Sequence, residues 1–186
     1  AKITLRDLLA HRSGLNRTDL AMVTGMLNRE ELIKVAGQAK PTAKLGEKFQ
    51  YQNIMYAAAG EAVAKAENST WEKLIANRIF KPLGMNNSDT TAAAMQKSRD
   101  YSLGYDYTPS TKVTRRLPQR EISAVAPAGA INSSARDMAQ WLRLMLNNGT
   151  YNGKRIVSEK GFNELVGKQM NIGGTVDYGL GWFLRQ

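Results

Sequence analysis

Apolar positions in this 186-residue chain recur mostly at helical spacing. Thr4-Leu5-Arg6-Asp7 reads as an N-cap before an apolar stripe of Leu5, Leu8 and Leu9, with Gly14 closing the helix or the turn after it. Asn28-Arg29-Glu30-Glu31 caps a second helix through Leu32, Ile33 and Ala36. A third runs from about Ile54 to Glu67. Its consecutive small residues Ala57, Ala58, Ala59 and Gly60 predict close packing against a neighbour. Ser69-Thr70-Trp71-Glu72 reads as a further capping box, opening a helix through Leu74, Ile75 and Phe80 that Pro82 and Gly84 stop. Ser134, with Asp137 at the third position, starts a helix whose apolar face is Met138, Trp141, Leu142 and Met145. Asn148-Gly149 ends it, and Ser158 starts a shorter helix carrying Phe162, Leu165 and Val166.

Strand signals are fewer. Ser102 to Tyr107 alternates, and Pro109 and Pro118 interrupt the stretch after it. Tyr178 to Leu184 reads as one strand entering a sheet, and Gly173-Gly174 as a turn. Five or six helices against two or three strands predict a mainly α chain with a few strands. A terminal strand with an aromatic face needs neighbours, so the sheet is expected to be incomplete. Ala1 is not Met and the chain stops just after a strand-like run, so both ends read as cut. No signal peptide is visible in the first residues.

Composition narrows the classes. Hydrophobic residues make up 42% and charged residues 23%, as in an ordinary globular domain. No stretch is long and apolar enough to span a membrane. The absence of cysteine removes thiol nucleophiles, disulfides and Cys-ligated zinc. With His11 the single histidine, a His-rich metal site is ruled out, a Ser-His-Asp triad is disfavoured, and no cofactor is expected. The net charge of +10 is spread along the chain, which argues against a dedicated nucleic-acid face. Its densest cluster, Lys112, Arg115, Arg116 and Arg120, reads as a solvated loop.

The candidate chemistry sits in Tyr51-Gln52-Asn53, between the turn-rich run Pro41 to Glu47 and a helix. Side chains two apart on an extended segment point to one side. A phenol able to exchange a proton and an amide able to grip a carbonyl therefore face one pocket. A phenol titrates near 10, so Tyr51 becomes a useful base only beside a cation. Other polar residues have plainer readings. Ser13, Ser133 and Ser134 are turn or cap residues, His11 belongs to a helix end, and Trp71, Trp141 and Trp182 are core.

Four segments carry a resemblance. They are Ile3 to Leu15, with His11-Arg12-Ser13-Gly14; Gly46 to Asn53; Ile79 to Met85; and Ala126-Pro127-Ala128-Gly129 followed by Ser133 to Met138. In this order they resemble the serine β-lactamase and penicillin-binding-protein-like family, the branch near class C enzymes. The resemblance implies the helical region of an α+β β-lactamase/transpeptidase-like fold. It also implies a serine of a Ser-x-x-Lys motif that forms an acyl-enzyme. Tyr51 would then act in proton transfer, and Asn53 would hold the substrate amide or the catalytic lysine.

The chain departs from the family's pattern. It has no Ser-x-x-Lys, no Lys-Ser/Thr-Gly and no His-x-Gly. Thr70-Trp71-Glu72-Lys73 comes nearest, and its hydroxyl is better used as a helix cap. Residues 1–186 are therefore read as a single partial domain, the central fragment of a serine hydrolase. The nucleophile segment and the remaining strands would lie outside it. Expected partners are a small amide, lactam or ester substrate, and the missing parts of the same protein or a second copy. Neither nucleic acid nor a membrane span is expected. Residues Thr18–Met26 and Thr108–Arg120 are candidate pocket walls. The resemblance tilts the compartment toward the bacterial periplasm. The alternative is a non-catalytic binding or assembly protein on the same fold.

Overall fold

The helix caps dictate where most elements begin. In a computed structural model, which describes residues 2–23 and 25–185, Thr4 caps α1 (Leu5–Leu9) in a full capping box with Asp7. Asn28 does the same for α3 (Arg29–Gln38) with Glu31. A short α2 (Asp19–Val23) lies between them. Gln52 caps α4 (Asn53–Ala66), which starts one residue before the predicted point.

The capping box predicted at Ser69 moves by one position. Thr70 is the N-cap of α5 (Trp71–Ile75), and its hydroxyl accepts the Lys73 N–H at 3.2 Å. Glu72 is freed to pair with Arg29 at 2.5 Å, tying α3 to α5. The chain then widens into a π turn (Ala76–Phe80) and tightens into α6 (Lys81–Leu83). Pro82 therefore lies inside a helical stretch rather than ending it. The wider turn absorbs the amide hydrogen bond that proline lacks, and Gly84 at φ 68° supplies the stop.

After α7 (Ala92–Met95), β1 (Tyr105–Thr108) and β2 (Val113–Arg116) form an antiparallel hairpin. Nearly every residue of it is exposed on both faces. Arg115 and Arg116 thus sit on a strand, not in the loop predicted for the basic cluster. A short 3-10 turn leads into α8 (Ala126–Gly129), then α9 (Ala135–Leu146), a small hairpin of β3 (Thr150–Tyr151) and β4 (Lys154–Arg155), and α10 (Glu159–Val166). The last sheet is antiparallel, in the order β5 (Met170–Gly173), β6 (Val176–Tyr178), β7 (Phe183–Arg185). The strand predicted over Tyr178 to Leu184 is two strands, because Gly181 at φ 93° turns the chain between them. Among the described residues no further strand pairs with the outer edges of β5 and β7. This is the mainly α architecture with an incomplete sheet that the sequence led us to expect.

The main core surrounds α4. Ile54, Met55 and Ala57 pack with Leu32, Ala36 and Val125, and Leu8 and Leu15 close the edge. The small face of α4 does what its composition predicts. A Cβ on Gly60 would lie 2.5 Å from the Pro127 ring, so the helix fits against α8 only without one. A second cluster joins Phe80, Leu83, Met85 and Leu144. The face predicted for α9 holds in part, with Trp141 packed against this cluster and Met145 half-buried. Met138 and Leu142 are exposed, while Leu144 and Asp137 are buried. The buried Asp137 carboxylate accepts the Asn87 N–H and the Ser88 hydroxyl, each at 2.7 Å, and this rotates the helix toward that loop. Among the described residues no helix is long and apolar enough to cross a membrane.

Candidate active site

The triplet is positioned by the end of α1. Past the Ala10 C-cap the chain turns sharply, with His11 in the left-handed region at φ 52° and Gly14 at φ 83°. Only glycine fits at 14, since a Cβ there would lie 2.3 Å from the Ala43 carbonyl oxygen. This turn folds residues 11–14 against 42–52. The Gln50 N–H donates to the His11 carbonyl at 2.7 Å, and Thr42 N–H to that of Gly14 at 2.9 Å.

Alternation along the triplet is what an extended segment gives. Gln52 is fully buried, and its side-chain amide donates to the Asn16 carbonyl at 2.7 Å and the Thr18 hydroxyl at 3.0 Å. Its two neighbours are less buried. Tyr51 is 39% exposed and Asn53 is half-buried at the first position of α4. The Arg17 guanidinium lies over the Tyr51 ring at 5.7 Å. Two clefts, of about 730 and 630 Å³, are lined by other residues, the first including Asp89 and Ser133 and the second Met22 and Arg29. The second takes in part of the predicted wall at 18–26, of which Thr24 lies outside the described residues. The first draws nothing from the other predicted wall, 108–120, whose β2 residues face solvent.

Behind Tyr51 stands an aromatic box that the sequence did not reveal. The His11 ring, 1% exposed, lies 4.3 Å from the Tyr51 ring and stacks on Tyr56 at 4.7 Å. Phe49 and Tyr178 complete the box at 5.6 and 5.4 Å. The Tyr56 hydroxyl donates to the Leu9 carbonyl at 2.7 Å. Burial, then the hydrogen bond with Tyr178, pushes the Tyr56 phenol up; burial also pushes Tyr178 up. Burial pushes His11 down to about 4, which leaves the imidazole uncharged at neutral pH. The one signal that could have found the box was the single histidine just before a Ser-Gly turn.

Other candidates resolve as scaffold. The Ser13 hydroxyl accepts the Leu15 N–H, Ser134 caps α9, and Ser133 bonds to Ser88 at 2.8 Å. Arg12 pairs with Asp7 at 2.7 Å and donates to the Gln169 carbonyl at 3.1 Å, fixing α1 to the start of the last sheet. Burial would raise the Asp7 carboxyl. The Thr4 hydroxyl and the Arg12 guanidinium outweigh this and hold it below the ordinary range. Trp71 is core, while Trp141 and Trp182 are half-buried. Among the described residues no three of His, Cys, Asp or Glu gather closely enough to hold a metal ion.

The family model described as Beta-lactamase matches residues 1–186. The D-alanyl-D-alanine-carboxypeptidase/endopeptidase AmpH of Escherichia coli (strain K12) is 28% identical over 202 residues, covering 97% of this chain and 48% of AmpH. Protein flp of Staphylococcus aureus (strain N315) is 25% identical over 97% of this chain and 36% of its own length. Among solved structures, the octameric penicillin-binding protein homologue from Pyrococcus abyssi superposes with a TM-score of 0.82 at 26% identity, over 98% of this chain and 45% of that one. A D-stereospecific amidohydrolase from Streptomyces sp. shares the fold, with a TM-score of 0.80 at 24% identity over 98% of this chain and 56% of that one. The chain thus spans less than half the length of these curated relatives. With a matching family model over its whole length and the same fold in its neighbours, the chain belongs to the beta-lactamase family, whose members include penicillin-binding-protein-like hydrolases.

Proposed function

We propose that these residues supply the tyrosine side of an acyl-serine hydrolase site. Tyr51 takes part in proton transfer, and Asn53 holds the substrate amide or a catalytic lysine. The attacking serine comes from elsewhere in the protein, since no Ser-x-x-Lys occurs in these 186 residues, and on this reading they do not turn over substrate alone. The observation that carries the reading is the contrast within the box. Tyr56 and Tyr178 are packed away, whereas Tyr51 keeps 39% of its surface in solvent with its ring packed against the buried His11. A group that must meet a substrate needs this combination of access and fixed placement.

The bond cleaved is an amide, lactam or ester. An amide involving a D-amino acid is the favoured member, supported by the activity for which AmpH is named. The compartment we propose is the periplasm. A second reading, a non-catalytic binding or assembly protein, draws on the lack of Ser-x-x-Lys and Lys-Ser/Thr-Gly in the chain.

The test uses the full-length protein with a chromogenic β-lactam, a peptide ending in D-alanyl-D-alanine and a short nitrophenyl ester. Turnover of one of them, reduced roughly 100-fold or more by Tyr51→Phe, is the expected result. Unchanged turnover in the variant ends the role given to Tyr51. Inactivity on all three, without a serine adduct by mass spectrometry, favours the binding reading.

A further inference from the structure

We propose that His11 is the positioning residue of the Tyr51-Gln52-Asn53 triplet, holding it through a bare imidazole nitrogen and a stacked ring. This rests on reading Tyr51 and Asn53 as site residues and adds what fixes them. The Gln52 N–H donates to His11 Nδ1 at 3.1 Å, inside the protein. The His11 carbonyl accepts from Gln50 at 2.7 Å, so one residue grips the segment at two points. Its ring is clasped between Tyr51, 4.3 Å away, and Tyr56, 4.7 Å away. Nε2 is buried and makes no hydrogen bond. An imidazole whose Nδ1 accepts must carry its single proton on Nε2.

The residue tolerates an uncommon backbone to do this. A non-glycine residue at φ 52° is disfavoured, yet His11 keeps it, and the ring reaches the triplet from that conformation. The groups facing the imidazole are the Tyr51, Tyr56 and Tyr178 rings and the Phe49 ring, with Arg17 on the outer side of Tyr51. Among the described residues no charged partner offsets the burial that keeps it neutral. A proton added at Nδ1 would set donor against donor at the Gln52 N–H. The triplet would then lose this backbone anchor and keep only the Gln52 side-chain bonds to Asn16 and Thr18 at its centre.

The experiment is a pH titration of the full-length protein by ¹⁵N NMR, with folding monitored by far-UV circular dichroism. The expected result is an Nε2–H tautomer at neutral pH, with the Gln52 amide and Tyr51 ring signals shifting together with His11. Two variants separate bond from ring. His11→Asn keeps an acceptor and tolerates the left-handed backbone; His11→Phe keeps the ring and removes the acceptor. Gln52 amide exchange should rise roughly tenfold in His11→Phe and clearly less in His11→Asn.

An Nδ1–H tautomer overturns the proposal. So does a Gln52 amide indifferent to His11 titration, or equal exchange in the two variants. If His11→Phe does not fold, the wild-type titration decides alone. Failure of the Tyr51 role is seen separately, as unchanged turnover of Tyr51→Phe in the full-length protein beside an intact His11–Gln52 bond.

Discussion

Tyrosines gather in two regions of the molecule under opposite conditions. Around His11, Tyr56 and Tyr178 are packed among rings, and the Tyr56 hydroxyl reaches a helix-end carbonyl. On the β1–β2 hairpin, Tyr105 and Tyr107 are 58% and 56% exposed, opposite Arg116 and Thr114. Composition is similar, but the anchoring differs. The box is built where three elements converge on a sharp turn. The hairpin is held at its base by a Leu117 N–H to the Gly104 carbonyl, and both of its faces meet solvent. Fixed placement of an aromatic group comes from the backbone turns that surround it, not from the ring itself.

The largest effect should come from the core that supports the box. Leu32 is fully buried against Ile54 and Met55, so Leu32→Ala should cost about 2–5 kcal/mol in urea unfolding. Next is acid. His11 titrates at about 4 when folded, against an ordinary 6.5. Between those values the unfolded chain binds the extra proton, so stability falls as pH drops from about 6.5 through 4. The loss is at most about 3 kcal/mol. Asp7 and Glu72 are held below their ordinary range, so their contributions are lost only at lower pH, as they protonate. Stability measured in small pH steps should therefore show an upper limb that His11→Asn removes and a lower limb that it leaves. Smaller again is Tyr56→Phe, which deletes one hydroxyl. It should cost about 1–2 kcal/mol because the Leu9 carbonyl loses its partner.

The sequence exposed these regions unequally. Caps at Thr4, Asn28, Ser134 and Ser158 were readable because each is a local pattern of a hydroxyl or amide side chain and a nearby N–H. The close packing of α4 was readable from its run of small residues. What failed was set by distant partners. The orientation of α9 depends on Asp137 meeting Asn87 and Ser88 from 50 residues away. The split of the last strand depends on the backbone at Gly181. Tyr51 and Asn53 were singled out from spacing and resemblance. The His11 clasp could not be, because it is a contact over 41 positions. Several residues of the family-like segments, among them Asp7, Arg12, Gly14 and Asp137, build junctions between elements.

The smallest expected effect lies on the hairpin and gives the comparison its sharpest edge. Tyr107→Ser removes a whole ring, where Tyr56→Phe removes one oxygen. By area alone the first change is far larger. Yet Tyr107 is 56% exposed and its cross-strand neighbour is Thr114, so there is little buried contact to lose. The change in unfolding free energy should stay within about 0.5 kcal/mol, below that of Tyr56→Phe. Denaturant curves for the two variants side by side give the ranking. A cost above about 2 kcal/mol for Tyr107→Ser would mean that the ring is covered in solution. The hairpin would then be an anchored region like the box, and the contrast between the two would fail.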